Sequence, residues 1–292
     1  MRLSTSTNIY FNRPDGRKAS IEESIQNCAA AGYHVMDMNF YDCTSFRLPF
    51  TTDAWEDWIL GIRRLAQEKN IEFSQAHSNF YNFCDSSVKD KAFQDEMVRR
   101  SIKCAGILGA KWVVIHAGTD FSSAQVVKDS LRKNIEYLKP VVELAAESGV
   151  GLAIENLWEY NIAPLRRYTS TAEELIELVD RLHSEYENVG ICWDFEHANI
   201  MKQDQTAALR LVGDRLKATH VSDNMGIGDD HILPYFGKMD WTEIMHVLKE
   251  INYQGDFTYE IHRYTSQIPD ALVIPALKYS IEVGNYLLSL AV

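Results

Sequence analysis

No stretch of this chain approaches 18 consecutive apolar residues, so a membrane span is not expected. The opening MRLSTSTNIYF has no basic region leading into an apolar run, which argues against a secretory signal. Cysteine is scarce: Cys28, Cys43, Cys84, Cys104 and Cys192 form no CxxC pair and are odd in number. Buried thiols in a reducing cytoplasm are the plain expectation. Nothing is Ser/Gly-rich, low in complexity or a block of one charge, so there is no linker and residues 1–292 read as a single domain. No GxGxxG opens a helix after the first strand, and a dinucleotide fold lacks its main signal. Positive charge is in deficit, with 29 Lys+Arg against 41 Asp+Glu and a net charge of −12. That balance disfavours a general nucleic-acid binder, which needs clustered cations to neutralise phosphates.

What is present is a regular alternation. Short β-type runs and amphipathic helices follow one another eight times. Strands are expected near Leu3–Tyr10, His34–Asn39, Glu72–His77, 111–118, 151–156, 189–197, 216–223 and 257–262. Between and after them lie helices near Ser20–Ala31, Thr52–Lys69, Ser87–Gly106, Ser123–Ser148 with a kink at Pro140, Thr171–His183, Asp204–Asp214, Asp240–Ile251 and Pro269–Leu290. Strict alternation favours a parallel sheet, and eight units in 292 residues favour closure into a (β/α)8 TIM barrel of the α/β class.

Barrel enzymes carry their chemistry where the strands end. Here strands three to eight end at or near His77, His116, Glu155, Asp194, His220 and Glu260, with His197 just past strand six. The first three intervals are each 39 residues, as successive units of similar size would produce. One such residue alone reads as a structural histidine or a helix cap. Six at successive strand ends are not independent, and they should meet on one rim. A carboxylate at the mouth of an apolar barrel needs a partner, because desolvating it alone costs several kcal/mol. Few Arg or Lys stand at neighbouring strand ends, whereas a divalent cation would satisfy the whole set. Two Glu, one Asp and one His suit Mn, Mg or Co and tolerate Zn. His34, His183 and His246 carry no assigned role, and His262 shares the side of the strand with Glu260.

The long connection after strand seven holds Asp223, Asn224, Asp229, Asp230 and His231. In an extended loop Asp229 and His231 face the same way and could reach one ion or one substrate hydroxyl. Read as HVSDNMGIGDDHILPYFGKMDW, this segment resembles the xylose-isomerase-like barrel superfamily, which includes the sugar-phosphate isomerase/epimerase group and endonuclease IV. The pattern H-[VI]-x-D-N-x-G-x-x-D-x-H-x-x-P-G-x-G-x-[IV]-D-W is met at His220, Val221, Asp223, Asn224, Gly226, Asp229, His231, Pro234, Gly237, Asp240 and Trp241. It is broken at Tyr235, where Gly is usual and where a side chain would narrow the substrate mouth, and at Met239.

The resemblance implies a metal held by Glu155, Asp194, His220 and Glu260, with His197 on a substrate oxygen. His77 and His116 match positions of additional zinc ions in endonuclease IV, and His197, Asp229 and His231 match its third zinc site. One ion is expected, with up to three accommodated. The implied activity is that of a divalent-metal-dependent isomerase or epimerase on a sugar, sugar phosphate or polyol ketone. Glu155 and Glu260 would be its acid–base pair, working through an enediolate. A dehydratase on the same site, an endonuclease IV-like abasic-site nuclease with the basic loop Arg13, Arg17 and Lys18, and a non-catalytic sensor remain as alternatives. Trp158, Lys238, Arg263 and Arg166 are candidate substrate contacts, and the barrel is a candidate homo-oligomer.

Overall fold

Several helices begin where a short polar side chain satisfies a free N–H group of the first turn. Ser20 and Glu23 form a reciprocal capping box at α1 (Ile21–Ala31), which stops at Gly32 with φ of 112°. Thr171, Asp204 and Asp240 each accept from one first-turn N–H at α6 (Ala172–His183), α8 (Gln205–Val212) and α9 (Trp241–Glu250), without the reciprocal bond. The remaining long helices are α3 (Trp55–Glu68), α4 (Lys91–Leu108), α5 (Val126–Glu147) and α10 (Asp270–Leu290), with short α2 (Phe40–Ser45) and α7 (Phe195–Ile200). Pro140 lies inside a continuous α5. The computed structural model describes residues 1–158 and 167–291, and Arg166 falls outside them.

The strands are β1 (Leu3–Ser6), β2 (Val35–Asn39), β3 (Glu72–His77), β4 (Trp112–His116), β5 (Gly151–Glu155), β6 (Val189–Asp194), β7 (Leu216–His220) and β8 (Phe257–Tyr259). They form one parallel sheet in sequential order, with β1 paired to β8. The ring closes through Val221, whose N–H donates to Thr258 O at 2.8 Å and whose carbonyl accepts from Glu260 N at 3.0 Å. This is a TIM barrel.

Several elements differ from the sequence expectation, and β7 and β8 stop at His220 and Tyr259, each three residues short of the expected end. The first strand stops at Ser6, and Thr7–Tyr10 turn into a 3-10 helix once Ser6 Oγ accepts from Asn8 N. The sixth strand ends at Asp194 rather than His197. Its Oδ1 accepts from His197 N at 2.7 Å and so starts α7. An unexpected helix, α2, follows β2, capped by Asn39.

Period-two alternation decides what faces the barrel axis. Val114, Ala153, Cys192 and Ala218 form a small internal cluster, while Val113, Leu152, Ile154, Ile191 and Trp193 join the large core between sheet and helices. Two residues on from each internal position stand His116, Glu155, Asp194 and His220. Strand geometry therefore turns these four inward at the C-terminal rim. All five cysteines are buried free thiols, and among the described residues no helix is long and apolar enough to cross a membrane.

Candidate metal centre

The inward strand ends converge. Ligand-type atoms of Glu155, Asp194, His220 and Glu260 all lie within 4.8 Å of one another, and all four side chains are buried. Glu155 is the hub: its Oε1 is 3.0 Å from His220 Nδ1, and its Oε2 is 2.9 Å from His116 Nε2 and 3.4 Å from His77 Nε2. Glu260, just past β8, lies 3.4 Å from His220 Nδ1 and accepts from Asn8 Nδ2 at 3.5 Å. His197 Nδ1 is 3.5 Å from Glu155, and His197 Nε2 is 3.8 Å from Asp229 Oδ1. His231 Nε2 is 3.0 Å from the same Asp229 oxygen.

The donor set fits a cation. Asp194 Oδ2 and His220 Nε2 are buried atoms with no hydrogen-bond partner, while Glu155 Oε2 and Asp229 Oδ1 face only imidazole nitrogens, His116 Nε2 at 2.9 Å and His231 Nε2 at 3.0 Å. Orphans of this kind cost several kcal/mol unless an ion or a ligand occupies the space between them. Asp194 makes the division of labour plain, with one carboxylate oxygen capping α7 and the other left for the site. Three imidazoles are held by backbone carbonyls: His77 Nδ1 by Ser78 O at 2.9 Å, His197 Nδ1 by Asn156 O at 2.8 Å and His231 Nδ1 by Glu260 O at 2.8 Å. Each therefore carries hydrogen on Nδ1 and presents Nε2 to the cavity, the second-sphere arrangement that orients metal-binding histidines. Asn156 also brackets the Asp194 backbone, donating to its carbonyl at 2.9 Å and accepting its N–H at 2.7 Å.

Burial alone would raise every carboxyl here. At Glu155 burial is overcome by His220 and His116, and the group is held well below its usual range. At Asp194 burial wins, reinforced by the Glu155 charge, and the carboxyl is pushed well above its usual value. Burial at Glu260 is offset by His220 and His231, leaving it low. His116 is pushed down to about 4 by burial.

Glu155, Glu260, His77, His116, His197, Asp229 and His231 line a cavity of roughly 360 Å³, whose wall also includes Asn8, Asp42, Phe80, Trp158, Arg167 and His262, with Asp194 and His220 buried behind Glu155 and Glu260. A larger hollow of about 520 Å³ lies at the opposite end of the barrel, between Arg2, Lys111, Lys217 and Asp256. That end serves stability in this architecture, and the groups able to hold a metal among the described residues all lie at the other.

The structure brings His77, His116, Glu155, Asp194, His197, His220, Asp229, His231 and Glu260 together, with Trp158 and His262 on the cavity wall. Lys238 and Arg263 are exposed and do not line the cavity. Tyr235 does not narrow the mouth. It takes a positive φ of 74°, which explains why glycine suits that position, and its ring lies 6.0 Å from that of Tyr286 on α10.

Sequence reasoning missed Asn8, Tyr41 and Asp42, which arrive from the first two strand ends; the polar runs STSTN and MDMN were the available signal. It also missed Glu196. This buried carboxylate accepts from Ser222 Oγ, from Asp230 N and from His231 N at 3.0 Å, and so pins the loop that carries Asp229 and His231. Asp223 pins the other half, accepting from Trp241 Nε1 at 2.9 Å and Tyr235 N at 3.0 Å.

The sequence matches the model of the family described as xylose isomerase-like TIM barrel over residues 25–282. An uncharacterized protein of Sinorhizobium fredii is 32% identical over 205 residues, covering 68% of this chain and 62% of that protein, less than two thirds of its length. D-psicose 3-epimerase of Enterocloster bolteae is 26% identical over 248 residues, covering 81% of this chain and 75% of the enzyme. Among solved structures, a D-tagatose 3-epimerase-like protein superposes with a TM-score of 0.77 over 100% of this chain and 98% of its own, at 20% identity.

Proposed function

Since this chain belongs to the xylose isomerase-like TIM barrel family, we propose that it is a divalent-metal-dependent epimerase of a ketose-type sugar, working as a single barrel domain. The observation that carries this reading is the meeting of Glu155, Asp194, His220 and Glu260 within ligand reach, with unpartnered atoms, at the floor of a cavity. The similarity to D-psicose 3-epimerase supports a sugar as substrate and epimerisation over other outcomes.

Glu155, Asp194, His220 and Glu260 would hold the ion. When bound, a divalent cation would act as a Lewis acid on adjacent substrate oxygens and lower the acidity barrier at the carbon beside the carbonyl. Glu155 and Glu260 reach the cavity from β5 and from the end of β8, strands set apart on the ring. One takes the proton from the carbon, and the other returns one to the opposite face, inverting that centre. Such positioned acid–base groups contribute about 10²–10⁴-fold each. His197, its Nε2 directed toward Asp229, orients a substrate oxygen. Buried histidines and the barrel floor exclude bulk water from the intermediate.

The test is solvent deuterium exchange at C3 of a ketohexose in the metal-loaded protein. Glu155→Gln and Glu260→Gln should each reduce exchange by at least about 10²-fold. Exchange at the wild-type rate in either variant removes that residue from the role.

A second reading rests on the nine-residue cluster, which extends from the four ligands to His77 and His116 on one side and to His197, Asp229 and His231 on the other. This is the donor set of a zinc-dependent abasic-site nuclease. Against it, the basic loop is neutralised: Arg13 is paired to Asp270 at 2.8 Å and Arg17 to Glu23 at 2.8 Å. Cleavage of abasic-site DNA would favour the nuclease.

A further inference from the structure

The cavity above the metal ligands does not end at the reacting sugar. A second hollow of roughly 310 Å³ adjoins it, and the two share Tyr41, Phe80, His116 and Arg167 as a common wall. None of Glu155, Asp194, His220 and Glu260 lines the second compartment, so it lies beyond the reacting end of a bound sugar.

Its walls are aromatic. The Tyr41 ring stacks on Phe80 at 4.2 Å with an interplanar angle of 12°, and Phe80 stacks in turn on His116 at 3.9 Å. This makes a continuous ladder from the Glu155 cluster outward. Tyr41 and Phe121 are 38% and 39% exposed in the cleft. The Arg167 guanidinium sits 5.0 Å from the centroid of the Trp158 ring, on the wall common to both compartments. Flat apolar faces with a few polar groups at their edge suit the C–H face of a second ring, whose hydroxyls reach the polar edge. A phosphate would call for clustered cations. Among the described residues of the second compartment, Arg167 is the sole cation on the wall.

We propose that this second compartment is a binding subsite for a ring-bearing substituent, so that the substrate is a sugar ketone carrying a second sugar ring rather than a free ketohexose or a sugar phosphate. The proposal rests on the epimerase reading for the identity of the reacting end, but the subsite itself rests on the aromatic walls.

Calorimetric titration of the metal-loaded protein with D-fructose, with isomaltulose (fructose bearing a glucose ring on its distal hydroxyl) and with fructose 6-phosphate tests it, alongside deuterium exchange on each. Isomaltulose should bind about tenfold more tightly than fructose, the scale of one good ring contact. Phe121→Ala and Phe121→Leu, at a residue that lines the second compartment and not the first, should erase most of that difference while leaving fructose affinity within about twofold, which also controls for folding. Equal affinity for fructose and isomaltulose, equal losses for both in the variants, or tightest binding of fructose 6-phosphate would overturn the subsite. Exchange into fructose without any affinity difference would sink the subsite and leave the epimerase standing. Variant-sensitive isomaltulose binding with no exchange on any ketose would uphold the subsite and overturn the epimerase.

Discussion

Glu196 shows how a residue outside the ligand set shapes the site. Its carboxylate is fully buried and takes three donors, two of them backbone N–H groups of the Asp229–His231 loop. His231 itself sits at a positive φ of 46°, a conformation that side chains adopt at a cost and that needs external support. Glu196→Ala leaves those donors buried and unpaired, and should lower stability by on the order of 3 kcal/mol in denaturant titration. Glu196→Gln keeps an acceptor and should recover most of that, with KM raised more than kcat is lowered. A KM untouched in both variants would show that the loop does not need this anchor. At this scale the strand-end ligands were legible because each recurs at a regular position in a repeated unit. Glu196 was not, because its donors come from a loop far along the chain, and no periodicity links them.

Elements explain why the motif after strand seven reads as it does. Asp223 has no part in the ligand set; it gathers the N–H groups and the Trp241 ring that fold the 224–239 loop back on itself. Gly237 lies against it so closely that a Cβ there would meet Asp223 Oδ1 at 2.1 Å and Asn224 O at 2.5 Å. Gly237→Ala is therefore expected to cost roughly 1–3 kcal/mol in thermal unfolding and to displace Asp229 and His231. Unchanged stability would mean the loop is freer than its contacts indicate. Eight strands and their inward faces followed from sequence periodicity. The ends of strands one and six did not, because local capping by Ser6 and Asp194 overrode the extended pattern. At the other rim, Arg2 ties β1 to β3 and β8 through Glu72 at 2.7 Å and Asp256 at 2.8 Å. Burial would raise Asp256, but Arg2 overcomes it, and Glu72 is lowered chiefly by its bond to Arg2. Depressed carboxyls stabilise the fold above their unfolded values near pH 4, and that contribution fades as pH falls through the folded values. Arg2→Ala should cost about 1 kcal/mol at pH 7 and progressively less below pH 4, with sugar exchange untouched. A penalty that grows on acidification would contradict this.

For the whole molecule, closure of the barrel is what collects six strand ends around one point, and the ion is expected to complete that closure energetically. A cation bound only by the folded chain stabilises it by about 4 kcal/mol at a thousandfold excess over its dissociation constant. Chelation should thus lower the melting temperature by several degrees, reversibly on adding Mn or Co. An unchanged melting curve after complete stripping would mean that these buried groups satisfy one another without a metal.

The most direct test is elemental analysis of the purified, catalytically active protein beside its His220→Ala and Asp194→Asn variants. At least one divalent ion per chain in the wild type, falling to a small fraction in both variants together with deuterium exchange, is the expected result. Active protein free of divalent metal, or variants that keep a full complement of it, would contradict the account.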